Sequence, residues 1–292
     1  IRLYVRPMNQ PEPVALPNTE NVTTPFFSPD GSRVGFFAGG VWRVASLGGG
    51  PPITIAGAGT ARVGGSWGSD GYLYFAGNFP SNGLVRVAEG GGVPEAVTVI
   101  DSAQGEIAHY WPEALPGGRG VVFSVVRGGL VNPTAWDIAV ADLAMGTHTV
   151  LVRGVRARYA ASGHLLYVTA DGTLMVVPFD ETTLALTGDA VAVVEGLRVE
   201  FAGNMDLAVS ATGTLFYTTG GVLGGGLAEV VWVTRDGTAE EIDPGWTGEF
   251  RLPKLSPDGT QLAVTIRANN EEQIWIKQLD RGPLPKLRSE EH

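Results

Sequence analysis

The chain has 292 residues, enough for two small domains or one large single-core architecture. Its 42 glycines and 19 prolines, with 44% hydrophobic and 17% charged residues, describe a turn-rich apolar chain that folds and is not disordered. A net charge of −10 excludes a nucleic-acid backbone or an anionic membrane surface as partner, and the lack of cysteine excludes disulfides, thiolate nucleophiles and cysteine zinc sites.

Residues 1–5 and 13–16 read as a third and a fourth strand with no first or second, a partial unit over 1–19. This start has neither an initiator methionine nor a signal-peptide pattern, so the chain reads as excised from a longer one. From residue 20 a repeat takes over. Ser28-Pro29-Asp30-Gly31 returns as Ser256-Pro257-Asp258-Gly259, with degenerate copies at Gly68-Ser69-Asp70-Gly71, Leu115-Pro116-Gly117-Gly118, Ala160-Ala161-Ser162-Gly163 and Ser210-Ala211-Thr212-Gly213. The anchors 28, 68, 115, 160, 210 and 256 lie 40 to 50 residues apart, the spacing of four-stranded propeller blades.

Each anchor is a tight turn in which glycine supplies a positive φ. A β-rich second strand follows it, at 34–37, 72–75, 121–123, 165–168, 215–217 and 262–264. An alternating third strand comes next, at 41–44, 84–87, 136–140, 174–177, 230–233 and 274–276. A weaker fourth strand closes the unit, as at 53–55 and 190–194, and no window sustains a helical period over ten residues. The pattern predicts one all-β domain over 1–292, a six-bladed β-propeller of four-stranded antiparallel blades starting near 20, 60, 106, 154, 200 and 249. Six is preferred to seven because a seventh blade would lack its two inner strands. The half-blade at 1–19 either competes for the closing position or lies displaced along an edge, where it could also join two otherwise monomeric chains. Trp42, Trp136, Trp232 and Trp275 recur in third strands and are expected in the blade-to-blade core, with Trp246 in a loop.

The Ser-Pro-Asp-Gly turns resemble those of TolB-like, WD-repeat-like propellers of bacterial proteins. Three longer stretches resemble successive blades of the propeller that follows many bacterial serine/threonine kinase domains: residues 24–31, residues 109–118 beginning His109-Tyr110-Trp111-Pro112-Glu113, and Ala157-Arg158-Tyr159 before Gly163-His164-Leu165. The resemblance implies a sensor or interaction module. The chain has no Gly-rich phosphate loop and no His-Arg-Asp catalytic loop, so it is no kinase by itself.

Ligands of propellers gather at a mouth of the channel, and counting four to ten residues back from the anchors, with Arg158 nearer its anchor at two, gives a polar rim. It comprises Glu20, Asn21, Arg62, Glu106, His109, Arg156, Arg158, Glu200, Asn204, Asp206, Glu249 and Arg251. Of these, Glu20, Asn21, Arg62, His109, Arg158 and Arg251 are the ligand-binding candidates. Glu20, Asn204, Asp206 and Glu249 offer the hard oxygens suited to Ca²⁺ or another divalent cation, although no motif demands a cofactor. Two functions are open. One is a non-catalytic propeller binding a small ligand, peptide or protein at its channel face. The other is a metal-assisted hydrolase of esters, lactones or phosphotriesters with His109 and Asp206 as catalytic residues. Ser66, in a Gly-x-Ser-x-Gly spelling, is not expected to be a nucleophile, because a strand follows where a helix is required.

Overall fold

The computed structural model describes residues 2–6, 14–57, 63–77, 83–130, 133–209, 215–219, 231–233, 239–241, 249–268 and 271–279. β1 (Arg2–Arg6) and β2 (Val14–Glu20) precede the repeat. β3 (Val22–Phe27), β4 (Arg33–Ala38), β5 (Val41–Ser46) and β6 (Ile53–Ala56) form the first antiparallel sheet. The second holds β7 (Gly65–Trp67), β8 (Tyr72–Ala76), β9 (Leu84–Ala88) and β10 (Glu95–Ala96). The third holds β11 (Glu106–Ala114), β12 (Gly120–Arg127), β13 (Asp137–Asp142) and β14 (Thr147–Arg153). In the fourth, β15 (Arg156–Ala160), β16 (His164–Val168) and β17 (Leu174–Asp180) run in order, and both β18 (Ala185–Leu186) and β19 (Val191–Val194) pair with β17. The fifth unit consists of two strand pairs, β20 (Leu207–Val209) with β21 (Leu215–Tyr217) and β22 (Val231–Val233) with β23 (Ala239–Glu241). β24 (Glu249–Leu255), β25 (Gln261–Ala268) and β26 (Glu271–Gln278) complete the series. Among the described residues the only helical segments are four short 3₁₀ turns.

The second and third strands fall where the repeat predicts them, and the turn chemistry explains why. Ser28 Oγ donates to Asp30 at 2.5 Å and accepts the Arg33 N–H at 2.9 Å, while Ser256 does the same with Asp258 (2.6 Å) and Gln261 (2.9 Å). Gly31 and Gly259 take φ of 69° and 70°, a conformation that a Cβ disfavours. The Ser28 and Ser32 hydroxyls pull the Asp30 carboxyl down to about 2, so the turn keeps its charge at neutral pH.

The innermost strands touch in the order β3, β7, β11, β15, β20, β24 and back to β3, which closes a ring. Third-strand tryptophans wedge between neighbouring sheets: buried Trp42 packs on Phe37 of its own sheet and on Phe75 of the next, with ring centroids 5.0 Å apart for the latter. Trp136 is also fully buried, whereas Trp275 is partly exposed and stacks on Tyr4. The Trp232 side chain and all of Trp246 lie outside the described residues.

Ring closure resolves the surplus half-blade. β1 runs parallel to β26, from Leu3 opposite Ile274 to Arg6 opposite Lys277, and β2 lies antiparallel outside it, so the closing sheet has the order β2-β1-β26-β25-β24. The half-blade is therefore added along an edge. Leu3, fully buried, shares a core with Ile274, Ile276, Val34 and Phe36, which ties the two ends of the chain together through apolar burial.

Candidate functional site

Three innermost strands carry a proline, at Pro25, Pro112 and Pro253, and at each of them the ladder slips: between Thr23 and Phe26, between Tyr110 and Glu113, and between Arg251 and Lys254. Proline cannot donate to the ladder and is tolerated here because an innermost strand is the edge of its sheet. Thr24 and Trp111, which precede two of the prolines, adopt φ of 50° and 53°. The bulge re-aims the residue after the proline, and Phe26, Glu113 and Lys254 all line one cavity of about 220 Å³, with room for roughly seven waters.

All six units obey the same rule. The residue two before each turn anchor lines this cavity: Phe26, Ser66, Glu113, Arg158, Ala208 and Lys254. The cavity thus opens at the ends of the inner strands, beside the turns. The rim expected from sequence lies where those strands begin, at the other end, and of its members Arg158 alone lines the cavity among the described residues.

Two buried guanidinium groups sit below the rim. Arg158, 3% exposed, donates from Nη1 to Glu113 Oε2 at 2.6 Å and from Nε to the Leu207 carbonyl at 3.4 Å, while its buried Nη2 has no hydrogen-bond partner. Arg156, 1% exposed, donates from Nη1 to the Met205 carbonyl at 2.8 Å and stacks 4.2 Å over the Trp111 ring, and its buried Nε is likewise unpartnered. Burial and the neighbouring Arg158 push the pKa values of Arg156 and Lys254 well below their ordinary ranges. The charged residues lining the cavity are the cations Arg158 and Lys254 and the carboxylate Glu113. Ser66 Oγ accepts the Ala114 N–H at 3.0 Å, which binds the second unit to the third, and β8 follows β7 as a strand.

The other rim residues go elsewhere. Glu20 is exposed and forms an ion pair with Arg2 across the β1–β2 pair, so its carboxylate is engaged on the outside of the closing sheet. Asn21 is an exposed turn residue at φ 55°. Asn204 donates to Glu200 at 3.1 Å, and Asp206 accepts from the Thr218 hydroxyl at 3.1 Å. Arg62 and the side chains of Glu249 and Arg251 lie outside the described residues.

His109 does not face the channel. It is fully buried between the second and third sheets, where Thr98 Oγ1 lies 2.7 Å from Nδ1 and Glu106 Oε2 lies 3.0 Å from Nε2. The Glu106 carboxylate can only accept, so Nε2–H donates to it, and on the neutral ring Nδ1 accepts from the Thr98 hydroxyl, which itself accepts the Leu84 N–H at 2.8 Å. Burial lowers the His109 pKa to about 4, which keeps the ring neutral. His148, on β14, approaches Glu106 Oε1 at 3.3 Å. Glu106, His109 and His148 are the one group of three histidine or acidic donors within 4.8 Å of one another among the described residues.

Tetrahedral zinc at about 2.0 to 2.1 Å from its ligands places them roughly 3.3 Å apart, whereas here the two histidines meet different oxygens of Glu106, at 3.0 and 3.3 Å, and Arg127 also donates to that carboxylate at 3.1 Å. Two imidazoles and one carboxylate fit a divalent ion that favours nitrogen, not the all-oxygen calcium site expected from Glu20, Asn204, Asp206 and Glu249. Neither Glu20 nor Asp206 joins a donor cluster of this kind among the described residues. Of the six cavity residues, sequence reasoning singled out Arg158 as a ligand-binding candidate and missed Phe26, Ser66, Glu113, Ala208 and Lys254 as cavity residues. The signal was present in the constant offset of two from each anchor.

These features define a β-propeller with a cavity flanked by buried cations at the ends of its inner strands. No protein-family profile and no curated protein matches the chain. Solved structures with the same fold include a TolB from Agrobacterium tumefaciens, 16% identical over 89% of this chain and 90% of its own, with a TM-score of 0.61. They also include the calcium-binding protein regucalcin from Agrobacterium tumefaciens, 19% identical over 86% and 83%, with a TM-score of 0.56. A third is a mutant of puromycin hydrolase, 16% identical over 91% of this chain but 47% of its own, with a TM-score of 0.59. The likeness to kinase-linked propellers is carried by the sequence motifs alone.

Proposed function

We propose that the chain is a non-catalytic, six-bladed binding propeller of bacterial origin, a sensor or interaction module that receives a small ligand or a segment of a protein in its channel cavity. One observation carries this reading: each of the six inner strands contributes the residue two before its turn to a single cavity, and one of these residues, Arg158, has a buried guanidinium nitrogen, Nη2, without a partner. Unpaired buried donors are costly, and a ligand would satisfy them.

The competing reading is a calcium-assisted hydrolase using His109 and Asp206, with regucalcin and puromycin hydrolase as fold analogues. It is less favoured, because His109 is neutral, engaged at both ring nitrogens and turned away from the channel. An excess of cations around the cavity also repels Ca²⁺. Hydrolysis assays on an aryl ester, a lactone and a phosphotriester, with calcium or with chelator, separate the two. No turnover above background is expected. Calcium-dependent turnover that disappears in Asp206→Ala would replace the binding reading with the hydrolytic one.

A further inference from the structure

The six cavity residues are unequal, and their order around the ring matters. Glu113, Arg158, Ala208 and Lys254 come from β11, β15, β20 and β24, which are consecutive neighbours. Glu113 holds one edge of the Arg158 guanidinium. On the other side of Arg158 comes Ala208, a short side chain that also packs with Phe216 and Phe250, and beyond it Lys254. Two cations therefore flank the smallest side chain of the six, and one of them presents a buried Nη2 with no partner. Phe26, Phe27 and Trp67 supply an apolar wall to the same cavity.

We propose that the part of the cavity at Ala208, between Arg158 and Lys254, binds the carboxylate of a ligand with an apolar body. The inference rests on the binding reading above and names its ligand class. A carboxylate matches on three counts. Its charge complements the Arg158 guanidinium and favours the protonated form of Lys254, its planar oxygens suit a guanidinium edge and an ammonium, and the attached apolar group meets the aromatic wall. A phosphate ion would leave that wall unused. The carboxylate can belong to a free organic acid or to the C-terminus of a peptide, and the chemistry of the site is the same for both.

The test uses 3-phenylpropanoate and its amide, and a tripeptide ending in phenylalanine with a free or amidated C-terminus, titrated calorimetrically into the full chain. Binding of a free acid and not of the matching amide is expected; whichever of the two acids binds more tightly identifies the source. Lys254→Met, which keeps the stem and removes the charge, should weaken binding about 10- to 100-fold. A ligand-independent arm compares Ala208→Asp with Ala208→Asn. The aspartate places a carboxylate between the two cations, so it should melt above the asparagine variant and no longer bind either acid.

Equal binding of acid and amide would overturn the carboxylate assignment while leaving the cavity a binding site. Ala208→Asp melting below Ala208→Asn, or Lys254→Met binding the acid as tightly as wild type, would also overturn it. If neither acid binds the wild type and the hydrolysis assays are positive, the binding reading falls together with it.

Discussion

His109 makes the acid side of this protein's stability predictable. A histidine held neutral by burial, with a pKa of about 4 against an unfolded value of 6.5, binds a proton in the unfolded chain before it does so in the native one. Its contribution is fully present above pH 6.5 and is lost as pH falls towards 4. The difference corresponds to roughly 3 kcal/mol, with a slope of at most about 1.4 kcal/mol per pH unit inside the window. Full burial of the ring leaves little solvent screening to reduce this figure. Carboxylates are separable from it, because Asp30 and Asp142 are held near 2 and Glu106 is lowered from 4.5, so all three act at lower pH. Urea unfolding at a series of pH values between 7 and 4, with chelator present, measures the slope. His109→Gln keeps a donor and an acceptor without titrating, and should be less stable at neutral pH but flatter across the window. A variant with the full wild-type slope would refute the assignment to His109.

Gly35 and Gly65 face the Phe26 ring from two sheets, and a Cβ on Gly65 would lie 2.3 Å from it. Gly65→Ala should therefore cost about 1 to 3 kcal/mol by overpacking, and Phe26→Leu in the same chain should recover part of that loss; additive losses in thermal unfolding would argue against the contact. Removing residues 1–20 strips β1 and β2 from the closing sheet and exposes the β26 edge. A lower melting midpoint and concentration-dependent association by light scattering are expected, because a bare strand edge recruits another; a monomer of unchanged stability would show that β1 does not close the ring.

The strands and turns were legible because they are local. A serine and an aspartate two residues apart, followed by a glycine, fold the same turn at 28 and at 256 whatever surrounds them, and alternation sets which face of the next strand is buried. The repeat also held the cavity in coded form, since a constant offset from the anchors picks out Phe26, Ser66, Glu113, Arg158, Ala208 and Lys254. The face to which that code pointed was not legible. Which residues face the cavity depends on proline bulges at Pro25, Pro112 and Pro253, whose effect appears only when neighbouring inner strands converge. Tertiary structure likewise decided that β1 pairs parallel to β26, a contact between residues some 270 apart that no local propensity encodes. It also decided that Thr98 and His148 meet Glu106 and His109, because Thr98 follows β10 of the second sheet while His148 lies on β14, some 40 residues beyond the β11 pair. Turn chemistry and periodicity act over a few residues and so can be read along the chain, whereas charge compensation and ring closure are sums over strands brought together only by the fold.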